Sequence, residues 1–134
     1  MLSDNQEGQV SRRQEELNMK SADKNIFELQ SEICKAIANP KRLEIISVLK
    51  DAEELTVSQL VDALHLPKAN VSQHLSLMRN KGILTCRRNG TNSYYRIAHK
   101  NVVQACVLMR EVLLSNLKKN GRVLDKAQKE SYYD

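Results

Sequence analysis

The chain is poor in the residues from which bulky cores and catalytic loops are made. It has no Trp, one Phe, four Gly and two Pro in 134 residues. With so little aromatic bulk, a core must be built mostly from Leu, Ile and Val. Four glycines leave little room for a glycine-rich phosphate loop. No Ser/His/Asp set and no paired carboxylates accompany them, so an enzyme is the least supported reading. The three cysteines lie 52 and 20 residues apart, which makes no chelating motif. No apolar run approaches the roughly 20 residues that span a bilayer. The N-terminal stretch MLSDNQEGQVSRRQEELNMK has no apolar segment of the kind a secretion signal needs. The expectation is a cytoplasmic chain with reduced thiols, no membrane contact, no metal and no cofactor.

What is present is charge, unevenly placed. The formal net charge is +5, with hydrophobic residues at 41% and charged residues at 28%, as in a soluble domain with polar ends. Residues 1–55 are slightly acidic overall. Residues 56–99 carry six basic side chains (Lys68, Arg79, Lys81, Arg87, Arg88, Arg96) against one acidic, Asp62. Residues 100–134 are again basic. Cations gathered in one stretch point to a polyanionic partner, although a solvated basic face would look the same by charge alone.

Hydrophobic period and breakers divide the chain. Residues 1–22 show no sustained period and read as a polar tail, or as a helix that forms only against a partner. A folded domain is expected over residues 23–121, followed by a second polar tail over 122–134. Ile26, Leu29, Ile33 and Ile37 recur at helical spacing and predict a first helix over Lys24–Ala38, with Phe27 and Cys34 on its flank. Asn39-Pro40 stops it and starts a second over Pro40–Lys50, burying Leu43, Ile46 and Leu49 with help from Ile45 and Val48. Thr56 and Gln59 form a capping box at the head of a third helix, Val57–Leu64. After His65-Leu66-Pro67 a fourth runs over Lys68–Lys81, with Val71, Leu75 and Met78 inward and Gly82 closing it. The period then changes to that of strands, Ile83–Arg88 and Ser93–Ala98, around Asn89-Gly90, a type I′ hairpin signal. A last helix, Lys100–Asn120, is apolar on both sides, as a helix packing on its own domain and on something else would be. The fold class expected is mainly α with a small β-hairpin: a winged helix-turn-helix of about five helices and a two-stranded wing.

Two short helices joined by a tight break, the second opening with small polar residues, suit insertion into a DNA major groove. Lys68, Asn70, Ser72, Gln73 and His74 are the expected exposed positions. Asn and Gln can pair bidentately with adenine, and Ser, Lys and His can reach bases or phosphates. Arg87, Arg88, Asn89 and Asn92 at the hairpin tip suit the backbone or an adjacent minor groove. Arg79 and Lys81 fit equally well as charges complementing the helix dipole. A protein-interaction module whose wing meets an acidic partner, with no specific operator, is the alternative.

Residues 33–98 resemble the ArsR/SmtB type of winged-helix repressor, through ICKAIANPKRLEIISVL, ELTVSQLVDALHLPKANVSQHLSLMRNKGIL and RRNGTNSYYRI. The resemblance implies a homodimer formed through the first and last helices. It also implies an inverted-repeat operator in double-stranded DNA and an inducer that releases it. Two metal-site patterns of such repressors do not carry over. Thr56 and Ser58 stand where one has a Cys-x-Cys pair, and hydroxyls do not replace thiolates for a soft ion. Of His99, Asn101, Val112 and Ser115, where another has four ligands, only His99 can ligate. The inducer is unassigned. Cys34 and Cys106, on the first and last helices, are the candidate thiol switch for an oxidant, reactive sulfur or a thiophilic metalloid. Small buried hydrophobes would account for both equally. Cys86 has no assigned role.

Overall fold

The computed structural model describes residues 4–121, with the side chains of 12–15 and 25–121. The second polar tail, with Tyr132 and Tyr133, lies outside the described residues. Two compact units divide the chain, 1–35 and 36–134. The elements are α1 (Asp4–Ile37), α2 (Pro40–Lys50), β1 (Leu55–Thr56), α3 (Val57–Leu64), α4 (Lys68–Asn80), β2 (Leu84–Asn89), β3 (Asn92–Ile97) and α5 (Lys100–Lys119).

α1 begins at Asp4, so of the two readings of this stretch, a polar tail or a helix formed against a partner, the described residues are helical. The stretch is rich in Gln, Glu, Arg and Lys and contains no Pro, so propensity favours a helix where no apolar stripe marks one. Of the stripe expected to feed the core, Ile37 packs against it, whereas Ile26, Leu29 and Ile33, with Phe27 on their flank, are exposed.

The second unit holds the core. Chemistry sets its helix ends. The Asn39 side chain accepts from the N–H groups of Lys41 and Arg42, with Pro40 in the first turn. Thr56 and Gln59 make the reciprocal capping box of α3. At the end of α4, Ile83 N–H donates to Met78 and Gly82 N–H to Arg79, with Gly82 at φ 77°. This is a Schellman closure, and its hydrophobic contact pairs two buried residues, Met78 and Ile83. The core cluster combines Ile45, Ile46 and Leu49 of α2, Leu60 of α3, Val71, Leu75 and Met78 of α4, and Leu84, Tyr95 and Cys106. Each large aliphatic sealed this way contributes roughly 1.5–3 kcal/mol. Leu43, expected inside, is exposed and Ile45 takes its place. α2 is apolar at Leu43, Ile45, Ile46, Val48 and Leu49, so period alone does not fix which side turns in.

The wing is a three-stranded antiparallel sheet in the order β1-β3-β2, not a two-stranded hairpin. Leu55 and Thr56 pair with Tyr95 and Tyr94. The hairpin register pairs Asn89 with Asn92. The two loop residues are therefore Gly90 and Thr91, and of these only Gly90 has positive φ. That is the type II′ pattern, with Gly first, rather than type I′.

His65 closes α3 at φ 54°, the only non-glycine residue at positive φ among the described residues. It is exposed, so little packing offsets the strain of a left-handed L-residue. Replacing His65 by Gly is expected to raise unfolding free energy by about 1 kcal/mol, and His65→Val to lower it by at least as much. Urea denaturation of the two variants against wild type checks the sign of each.

Candidate nucleic-acid interface

α4 presents a polar face because its opposite face is consumed. Val71, Leu75 and Met78 are fully buried. At about 100° per residue, Gln73 stands on the far side of the helix, and Asn70 stands about as far from the buried stripe as Ser72 does, on the opposite flank. Lys68, Ala69, Asn70 and Gln73 are exposed. Ser72 and His74, expected to be exposed as well, are half-buried. They stand about 100° and 60° from the buried stripe, on its two flanks, where neighbouring elements cover part of each side chain. No side chain caps the start of α4, whose N-cap is Pro67. Its first backbone N–H groups therefore remain available to an anion such as a DNA phosphate.

His74 is fixed from α2. Arg42 Nε donates to His74 Nδ1 at 3.1 Å, and Arg42 Nη1 donates to the Ala36 carbonyl at 3.3 Å. Accepting at Nδ1 requires the neutral imidazole with its proton on Nε2. Partial burial, and then the Arg42 cation, push the His74 pKa below its ordinary value. The imidazole therefore stays neutral at neutral pH and can donate from Nε2.

The hairpin carries two kinds of cation. Arg88, with Asn89 and Asn92 at the tip, is exposed. Arg87 is also exposed, but its guanidinium is engaged. Nε donates to Glu54 Oε2 at 3.3 Å, Nη2 pairs with Glu54 Oε1, and the group lies 4.5 Å from the Tyr94 ring centroid. The pair holds the Glu54 carboxyl below, and the Arg87 guanidinium above, their ordinary pKa values. Arg87 thus clamps the wing to the acidic connector before α3. Sequence reasoning did not find this contact, because its partners lie 33 residues apart.

Other candidate residues are dispersed. Cys34 is exposed on α1, Cys86 is half-buried on β2, and Cys106 is buried on α5. Burial pushes the Cys106 thiol pKa up, which disfavours the reactive thiolate. Cys34 and Cys106 fall in different compact units. His99 is spent as the N-cap of α5, its Nδ1 accepting from Asn101 N–H at 3.1 Å. Among the described residues, no three His, Cys, Asp or Glu side chains are grouped to hold a metal ion. None of the described helices is long and apolar enough to cross a membrane.

Comparison with known proteins gives one consistent result. The family described as "Bacterial regulatory protein, arsR family" matches residues 39–85. The transcriptional repressor PagR of Bacillus anthracis is 40% identical over 76 residues, 57% of this chain and 76% of that protein. Its crystal structure superposes with a TM-score of 0.56 at 37% identity, covering 62% of this chain and 94% of that one. The repressor SmtB of Mycobacterium tuberculosis is 37% identical over 75 residues, 56% of this chain and only 55% of its own length. A homodimeric winged helix-turn-helix DNA-binding domain from Mycobacterium bovis superposes with a TM-score of 0.65 at 28% identity. It covers 72% of this chain and 89% of that one.

Because the folded His74 pKa is depressed, the unfolded chain takes up that proton first on acidification. The Arg42–His74 contact therefore stabilises above the ordinary histidine value and is lost as pH falls through the folded value. Between about pH 7 and about pH 5, wild type is expected to lose more stability than His74→Gln, which has no proton to gain. Urea midpoints across that range test this; equal losses would remove His74 from the linkage.

Proposed function

Because the chain belongs to the arsR family of bacterial regulatory proteins, and is a winged-helix DNA-binding regulator rather than an enzyme, we propose that it is a repressor. It binds an inverted-repeat operator as a homodimer in the cytoplasm and is released by an inducer. The observation that carries this reading is the exposed polar face of α4 beside an exposed basic wing tip, in a stretch with one acidic residue, Asp62. Asn70 and Gln73 read base edges from the first turns of α4, with Lys68 and the uncapped N–H groups on phosphate. Ser72 and His74 support that face from its flanks, His74 through its Nε2 proton. Arg88, Asn89 and Asn92 lie along the backbone or in the adjacent minor groove. Arg87 fixes the angle of the wing through Glu54.

Gel shifts across a salt series, on operators selected from genome fragments, test this. About 6–10 phosphate contacts would cost roughly 10³–10⁵ in affinity between about 50 and about 200 mM salt. Arg88→Ala is expected to weaken all sequences alike and to reduce the salt slope by about one. Gln73→Ala is expected to cost roughly 1–3 kcal/mol and to relax specificity at one base pair. A flat salt response with no enriched inverted repeat would favour a protein-interaction module instead. On this reading a thiol route for release starts at Cys34, which is exposed, and reaches Cys106 only after its burial is relieved. The same gel shifts with peroxide, persulfide and arsenite on Cys34→Ser and Cys106→Ser decide that step.

The dimer surface we assign to the unpartnered apolar faces of the first and last helices. On α5 these are Leu108, Met109, Val112 and Leu113, each more than half exposed. On α1 they are Ile26, Phe27, Leu29 and Ile33. Patches of this kind mark association surfaces. Leu113→Glu is expected to shift sedimentation from dimer to monomer and to abolish operator binding while leaving the helical circular dichroism intact. An unchanged dimer would place the interface elsewhere.

A further inference from the structure

A cleft of about 450 Å³ opens between the last turn of α2, the connector after it, the end of β3 and the start of α5. Leu49, Ile97 and Val103 form its apolar wall. Lys50, Arg96 and Lys100 bring three cations to it, against the carboxylates of Glu53 in its lining and of Asp51 paired with Lys50. Lys50 is drawn well into the fold, its side chain only 12% exposed, with Asp51 3.2 Å away. The volume lies within the usual range for small-molecule sites. An apolar wall with surplus positive charge at its edge matches a ligand that has a hydrocarbon body and one anionic end.

We infer that this cleft binds a small amphipathic anion, a monocarboxylate on an apolar body, and that its occupancy lowers operator affinity. Lys50, Arg96 and Lys100 hold the carboxylate through charge-assisted hydrogen bonds. Leu49, Ile97 and Val103 cover the hydrocarbon. Glu53 discriminates against a second negative charge, as on a phosphate dianion. The route to the wing is short. Arg96 and Ile97 pair with Thr85 and Leu84 across the base of the wing, while Lys100 and Val103 belong to the first turns of α5. The field of Arg96 also reaches Glu54, the carboxylate that clamps Arg87. An anion on Arg96 offsets that field and fixes the base of the wing against α5. The binding half of this inference stands apart from the repressor reading; the regulatory half rests on it.

The test titrates the isotope-labelled full chain with hexanoate, 1-hexanol and inorganic phosphate, following the methyl resonances of Leu49, Ile97 and Val103. Hexanoate is expected to give saturable shifts, with hexanol and phosphate weaker by about tenfold or more. Lys50→Gln and Arg96→Gln should each weaken hexanoate by about tenfold, with the rest of the spectrum native. In a second arm, saturating hexanoate should lower affinity for the selected operator in wild type and fail to do so in Arg96→Gln. No saturable shift with hexanoate, or equal binding of hexanol, overturns the site. Phosphate binding as tight as hexanoate overturns the choice of ligand. Saturation that leaves operator affinity unchanged overturns the regulatory half. Hexanoate binding by a chain that selects no operator leaves the site standing and removes the repressor reading instead.

Discussion

The rotational setting of α4 is the constraint on which the rest depends. Val71, Leu75 and Met78 are sealed completely in a cluster with Ile46, Leu49 and Leu60. Turning α4 by one residue would move its apolar stripe by about 100° and expose part of it, at a cost of several kcal/mol. The core therefore decides which polar residues can face a groove. Gln73 falls opposite the stripe because of where the stripe is, and Asn70 falls on an exposed flank. Ser72 and His74 fall on its edges for the same reason. The Schellman closure at Gly82 then carries the chain from Met78 into β2 with no slack, so the wing inherits its placement from the same packing.

Two polar contacts act on this apolar frame from outside it. Arg42 reaches from α2 to His74 and to the Ala36 carbonyl, linking the end of α1, the second helix and the flank of α4 through one side chain. Arg87 binds the wing to Glu54 and covers Tyr94. Arg87 lies in the basic stretch that charge counting assigns to a polyanion, and Arg42 contacts His74 of that stretch, yet both are engaged within the chain. An Arg that forks onto a carboxylate is a poor phosphate ligand until that contact is broken, because the two acceptors compete for the same donors. The net positive charge of a region therefore overstates the number of cations it can offer DNA.

Much of this is legible in the sequence, and all but one of the parts that are not share a cause. α2 and α3 were bounded to the residue because Asn39-Pro40 and Thr56–Gln59 satisfy helix-end donors by local chemistry. The polar face of α4 followed from Val71, Leu75 and Met78. β1 escaped notice because two residues, Leu55 and Thr56, have no period, and only their pairing with Tyr95 and Tyr94 makes them a strand. The turn type depends on which Asn pairs with which across the hairpin, again a non-local fact. Leu43 is exposed and Ile45 fully buried because the apolar residues of α2 are spread widely around it, and only its neighbours choose a side. The start of α1 was missed for the opposite reason. It has helix propensity without a stripe, and a reading based on hydrophobic period has nothing to detect there.

α5 is where these levels meet. One side supplies Cys106 to the core, with Val102 and Val103 packed against it, and this fixes the helix on the domain. The other side leaves Leu108, Met109, Val112 and Leu113 in water. Leaving four large apolar side chains exposed forgoes several kcal/mol of burial that a partner surface could recover. A helix committed on both sides cannot shift against one without disturbing the other. Its first turns also wall the cleft that contains Arg96 and Ile97 at the base of the wing. With the dimer surface proposed above, a shift at the start of α5 would act on the dimer and on the wing together. For the homodimer proposed above, two α4 helices would have to reach successive half-sites about 34 Å apart. A small change in the angle of α5 would then be multiplied by the distance from the proposed dimer axis to α4, and a shift at that end of about an ångström would be enough to lose the hydrogen-bond geometry on base edges.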